Sequence, residues 1–173
     1  MKRRSFLLAL TLAGCGDIQR YLDSKPLEAP AIMSPTFMVN EIMRLADVRP
    51  GDVLYDLGCG DGRIVIEAAR RGALGVGVDI DAGQIALANK AAAAAGVSAR
   101  VRFAVGDIFD ADLRDATVVT LYLSDEANVR LRPKLQRELK RGSRVISHQF
   151  TMGDWKPDLT LTAGGRNLFL WVM

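Results

Sequence analysis

An apolar run, Val53-Leu54-Tyr55, leads into Asp56 and then into three glycines on alternate positions, Gly58, Gly60 and Gly62. A helical pattern begins near Ile64. No other stretch restricts the chain so tightly. It reads as a strand, a tight turn clear of side chains, and a helix N-terminus, because glycine alone visits left-handed backbone freely. Such a turn leaves backbone N–H groups and a carboxylate free for the polar end of a ligand. The spacing also separates ligand classes. A dinucleotide site reads G-x-G-x-x-G, whereas here Arg63 takes the sixth place and Gly62 comes one residue early.

The rest of the chain alternates in the same way. Ser34 or Thr36 is expected to cap a helix with Phe37, Val39, Ile42, Met43 and Leu45 on one side, ended by the turn Pro50-Gly51-Asp52. A strand over 53–57 and a helix over 62–71 follow, with Arg70 and Arg71 at the negative helix end and Gly72 as its stop. The next strand is 74–78. Asp81 with Gln84 three residues on approximates a capping box for a helix that closes at Gly96. Strands are expected over 101–105 and 117–122, then a helix from Asp125 to Gly142 that Pro133 kinks or restarts. A strand over 144–147 precedes a closing hairpin, 159–162 and 168–172 around Gly164-Gly165. This order implies an α/β fold, doubly wound, with a mainly parallel sheet covered on both faces and a C-terminal β-hairpin.

Asp56, Asp79 and Asp107 close three successive apolar strands. Ligands of open parallel sheets bind beyond the carboxyl ends of the strands. Three acids in a row along that edge, beside the glycine turn, form a constellation that single turn-capping aspartates do not.

The pattern Asp-x-Gly-x-Gly-x-Gly over residues 56–62 resembles that of S-adenosylmethionine-dependent methyltransferases. From about Pro35 onward the chain is similar to a family of small class I methyltransferases that includes broad-specificity protein-lysine methyltransferases of archaea and mitochondria. The likeness rests on residues 55–63, Gly77-Val78-Asp79-Ile80-Asp81, Leu131-Arg132-Pro133-Lys134-Leu135 and Gly153-Asp154-Trp155-Lys156-Pro157. It implies a Rossmann-like sheet of seven strands, S-adenosylmethionine as cofactor and no metal. Asp56, Gly58, Gly60, Asp79, Asp107 and Ile108 become the cofactor-binding candidates. Asp79 can accept from both ribose hydroxyls, each charge-assisted bond contributing roughly 1.5–3 kcal/mol. Asp107 is set to accept from the adenine amino group, and Asp56, with the Gly58 and Gly60 backbone, to face the cationic methionine end. One position departs from the family pattern: members usually carry a tyrosine two places before the proline matched by Pro35, and this chain has Met33.

Methyl transfer from a sulfonium is an in-line displacement, so the protein mainly aligns the partners and excludes water. A lysine acceptor has to be neutral, and near its usual pKa of 10.4 only about one in a few thousand is neutral at pH 7. Burial beside a cation lowers that pKa. Tyr122, shaping the slot, and His148, as proton acceptor, are the catalytic candidates; Ser124, Asp125 and Trp155 are expected nearby. The strand exit Leu121-Tyr122-Leu123-Ser124 lacks the Asn/Asp-Pro-Pro-aromatic sequence that amino-methylating nucleic-acid enzymes present there. Three readings stay open: N-methylation of protein lysine, methylation of a small molecule, and a tethered S-adenosylmethionine-binding protein without catalysis.

The chain has 23 Lys and Arg against 20 Asp and Glu, but Lys2, Arg3 and Arg4 hold the whole excess. The body is neutral and no nucleic-acid partner is expected. Those three cations precede an apolar stretch over 6–13, too short to span a bilayer but suited to a signal peptide. Leu12-Ala13-Gly14-Cys15 resembles the bacterial lipoprotein cleavage box, and residues 2–7 resemble a twin-arginine signal. The expected organisation is a signal peptide over 1–14, a linker over 15–33 containing Pro26 and Pro30, and the methyltransferase domain over 34–173. Lipid on Cys15 makes the protein membrane-anchored and facing the periplasm; translation from Met33 makes it cytoplasmic. Cys59 is then left without a partner. Its place between two glycines suits a small packed side chain rather than a nucleophile.

Overall fold

Strand and helix alternate throughout residues 34–173, the part of the chain that the computed structural model describes. The expected signal peptide, linker and Met33 lie outside the described residues. The elements are α1 (Thr36–Leu45), β1 (Val53–Leu57), α2 (Arg63–Arg70), β2 (Leu74–Asp79), α3 (Ala82–Ala94), β3 (Val101–Val105), β4 (Val118–Leu121), α4 (Asp125–Glu138), β5 (Arg144–His148), β6 (Leu159–Ala163) and β7 (Arg166–Val172). The strands form one sheet in the order β3-β2-β1-β4-β5-β7-β6. The first five are parallel, and β7 inserts antiparallel between β5 and β6. This is the Rossmann-like, seven-stranded architecture expected above. The strand order reverses between β1 and β4, the point at which such sheets open a crevice.

Period-two alternation divides the core between two faces. Val118 and Val119 are both buried, as are Val145 and Ile146, yet each pair sends one member to either side. On one side they meet Met38, Ile42 and Met43 of α1 with Val65 of α2. On the other they meet Leu131 and Leu135 of α4 and Trp171 of β7.

Two helices differ from expectation. Pro35 stands at the cap of α1 and no side chain caps it; Ser34 instead turns its hydroxyl to His148. α4 runs unbroken past Pro133. A proline ring deletes one backbone bond, while burial of Leu131 and Leu135 on the inner stripe holds the helix to the sheet. Asp81 caps α3 as expected, accepting from the Gly83 and Gln84 amides at 2.7 and 3.3 Å.

The edge of the sheet away from the glycine turn is pinned by Arg144. Its guanidinium pairs with Asp52 and donates to the Ala46 and Asp47 carbonyls, joining β5 to the segment between α1 and β1. Thr117 donates to the same Asp52 at 2.7 Å. β4 begins one residue later than expected, although the Thr117 backbone still bonds Val53 and Arg144 on either side.

Candidate active site

The glycine turn is tied down by its own amides. Gly58 and Cys59 donate to the Val78 carbonyl at 2.8 and 3.1 Å, and Gly60 donates to Asp79 Oδ2 at 2.8 Å. The N–H groups expected to await a ligand are therefore engaged within the protein. Close packing demands the third glycine. Gly62 has φ 77°, and a Cβ there would stand 2.7 Å from the Phe103 ring and 2.9 Å from Ala88. The Cys59 thiol is buried beneath the turn, and burial next to Asp56 and Asp79 pushes its pKa far up. It is a packed side chain.

With the amides engaged, carboxylates dominate the turn. Asp56 is buried in β1 and accepts from Thr120 Oγ1 of neighbouring β4 at 2.7 Å. Burial raises its carboxyl to about 7; the Thr120 bond works against the rise, and the charges of Asp79 and Asp61 add to it. Asp79 is half-buried at the end of β2. Each of its oxygens accepts one backbone amide, Gly60 on one and Asp81 on the other, which leaves a lone pair on each. Such a basin suits a ligand carrying an ammonium and a sulfonium and repels a pyrophosphate. S-adenosylmethionine fits the groups present.

The third acid stands apart. Asp107 is exposed beyond β3 and accepts from the Phe109 amide at 2.9 Å in its own turn. The Gly106 amide bonds the Asp79 carbonyl, so the exits of β2 and β3 are joined through backbone. Ile108 is half-buried against the core on the α4 side. Asp56 and Asp79 thus act on each other, while Asp107 shares only their edge. Among the described residues no group of His, Cys, Asp and Glu is arranged to hold a metal ion.

Across the switch point lie the acceptor-side candidates. The Tyr122 and His148 rings stack with centroids 3.9 Å apart, and Phe150 stands 5.9 Å from Tyr122. His148 is wholly buried. Its Nδ1 lies 3.0 Å from Ser34 Oγ, and its Nε2 has no partner among the described residues. Burial and the Arg166 charge push the imidazole down to about 4, so it is neutral at physiological pH. Gln149, the next residue, has φ 72°, a left-handed conformation rare for a side-chain-bearing residue.

Ser34, Arg63 and Arg166 escaped the sequence reading as site residues. Ser34 Oγ meets His148 while its carbonyl accepts from Arg63 Nη1 at 2.8 Å. Arg63 pairs in turn with Asp61 at 2.7 Å. Arg166, at the start of β7, donates from Nη1 to Tyr122 Oη at 2.8 Å. A chain of contacts therefore runs from the glycine turn through Asp61, Arg63, Ser34, His148 and Tyr122 to Arg166. Only the antiparallel register, His148 opposite Leu168, carries Arg166 to this end of the sheet. The remaining neighbours hold structure: Ser124 caps α4, Asp125 accepts from Thr151, and Trp155 packs 5.8 Å from Trp171.

Comparison with known proteins identifies the family. Residues 56–159 match the family model described as the ANTKMT methyltransferase domain. A protein-lysine N-methyltransferase of Saccharolobus islandicus is 41% identical over 132 residues, covering 74% of this chain and 81% of the relative. The mouse adenine nucleotide translocase lysine N-methyltransferase is 35% identical, covering 76% of this chain and 57% of the relative. The crystal structure of an RNA methyltransferase from Salinibacter ruber, in complex with S-adenosyl-L-homocysteine, superposes with TM-score 0.80 at 49% identity, covering 82% of this chain and 93% of that one. The chain belongs to the ANTKMT methyltransferase domain family and is a class I S-adenosylmethionine-dependent methyltransferase.

Proposed function

We propose that this enzyme methylates the side-chain amine of lysine in proteins. The observation that carries the reading is the 41% identity to a protein-lysine N-methyltransferase across 81% of its length. The acceptor side agrees with it. The half-buried Tyr122 ring, backed by the buried His148 at 3.9 Å, offers an apolar wall to an aliphatic chain, and the exit of β4 lacks the Asn/Asp-Pro-Pro-aromatic sequence suited to a nucleobase amine.

When bound, S-adenosylmethionine supplies an electrophilic methyl group on its sulfonium. Asp79 holds the ribose through the free lone pairs of its carboxylate, and Asp56 with the Gly58–Gly60 turn faces the cationic methionine end. Asp107 and Ile108 receive the adenine. Tyr122 shapes the acceptor slot. His148 backs the Tyr122 ring from within the core; an imidazole pushed down to about 4 is a weak base at neutral pH.

The test incubates residues 33–173 with radiolabelled S-adenosylmethionine and mixed bacterial protein and RNA. Protease-sensitive label mapped to lysine by mass spectrometry is the expected result. Nuclease-sensitive label would transfer the assignment to RNA, the acceptor class named for the Salinibacter ruber structure. Label on small metabolites alone would make this a small-molecule enzyme.

The proposal extends to location: residues 1–14 direct export and Cys15 carries a lipid that tethers the domain. A reporter fused to residues 1–32 is expected in the membrane fraction with lipid attached. A soluble, unlipidated fusion would remove the export and lipid assignment.

A further inference from the structure

The Arg166 guanidinium is half-buried at the acceptor end of the sheet, donates to Tyr122 Oη, and forms no ion pair among the described residues. The titratable groups on which it acts are Tyr122 at the β4 exit, through the hydrogen bond, and His148 of β5, through its charge. The acids of the glycine turn, α4 and β1 are engaged elsewhere. Asp61 is paired with Arg63. Asp125 accepts both the Thr151 amide and hydroxyl. Asp56, buried in β1, is bonded to Thr120. No described carboxylate neutralises Arg166.

We infer that Arg166 is the fixed positive charge that makes a lysine amine shed its proton on entering the slot, so that the acceptor is held neutral without a dedicated base. The inference rests on the lysine reading above and names how that site selects its substrate form. A guanidinium stays charged across the working range. The Tyr122 hydroxyl keeps this one from turning out to solvent. An amine lying against the Tyr122 ring is on the order of 6 Å from it, and a like charge at that range lowers an amine by about one to two pH units. The proton leaves to bulk water before transfer. His148, buried and uncharged, does not offset the effect.

Arg166→Gln and Arg166→Lys separate charge from shape. Single-turnover label incorporation into lysine of mixed bacterial protein is followed from pH 6.5 to 9.5, with S-adenosylhomocysteine affinity measured on each variant. Wild type and Arg166→Lys are expected to share one profile. Arg166→Gln is expected to move the midpoint up by about one unit, losing about tenfold in rate at pH 7 and less than about twofold at pH 9.5. A loss of equal size at every pH, in a variant that still binds S-adenosylhomocysteine, would make Arg166 a contact for the acceptor's shape or an anionic group and overturn the inference. Should Arg166→Gln lose S-adenosylhomocysteine binding, Arg166→Met, uncharged and unbranched, carries the test with the same two outcomes. Absence of lysine label with wild type at any pH would overturn the lysine reading itself, and this inference with it.

Discussion

The Gly60 amide donates to the Asp79 carboxylate at 2.8 Å, which fastens the turn after β1 to the acid that ends β2. One side chain therefore both organises the turn and stands ready for a ligand. Asp79→Ala removes both roles. Calorimetry is expected to show S-adenosylhomocysteine bound roughly tenfold to a hundredfold more weakly. Unchanged affinity would remove Asp79 from the pocket.

Asp56 is expected to link cofactor binding to pH. Its carboxyl is raised from 3.8 to about 7 by burial, so the native state holds a proton that the unfolded chain has lost. The stability this confers is complete below about pH 4 and is lost as pH rises through 7, on the order of 4 kcal/mol in all. Asp56→Asn lacks this component, so urea titrations at pH 5 and pH 8 should separate the two proteins. A cationic ligand prefers the ionised carboxylate, and wild-type affinity for S-adenosylmethionine should rise up to about tenfold between pH 6 and pH 8. Equal pH dependence in both proteins would discard the coupling.

Gly62 tests the packing of the turn. A methyl group there meets Phe103 and Ala88 inside 3 Å while the backbone stays left-handed. Gly62→Ala should destabilise the fold by about 3 kcal/mol, combining backbone strain with overpacking. The reading is the urea midpoint at constant slope; a shift equivalent to less than about 1 kcal/mol would mean that Phe103 moves aside freely.

Arg144 makes the complementary case at the far edge. Its pairing with Asp52 is largely shielded, the two side chains being 15% and 8% exposed. Arg144→Ala leaves Asp52 a charge without its partner and should cost about 3 kcal/mol of stability. Cofactor affinity, measured well below the unfolding transition, should stay within about twofold, because the pair lies at the opposite end of the strands. A large loss of affinity would show that the two edges are coupled.

Much of the scaffold was legible beforehand because it follows from short-range rules. Apolar runs of four to six residues, glycine where left-handed backbone is needed, and Asp81 ahead of Ala82 specify strand, turn and cap with neighbours alone. Asp56, Asp79 and Asp107 follow from the same logic, since each stands at or near the carboxyl end of a strand. Ser34 was misread for the corresponding reason: a serine just before a helix looks like a cap until the partner 114 residues away is known.

By itself the sequence determined the alternation of strand and helix, the glycine turn and the family to which its motifs belong. Tertiary structure alone decided that β7 lies between β5 and β6, and so that Arg166 reaches Tyr122. It also decided that the turn amides are engaged internally and that Asp56 is buried deeply enough to hold a proton near neutrality. The physical reason is range. Propensity and periodicity act over a few residues, whereas strand register, desolvation and the meeting of two charges depend on surfaces that become neighbours only when the sheet closes.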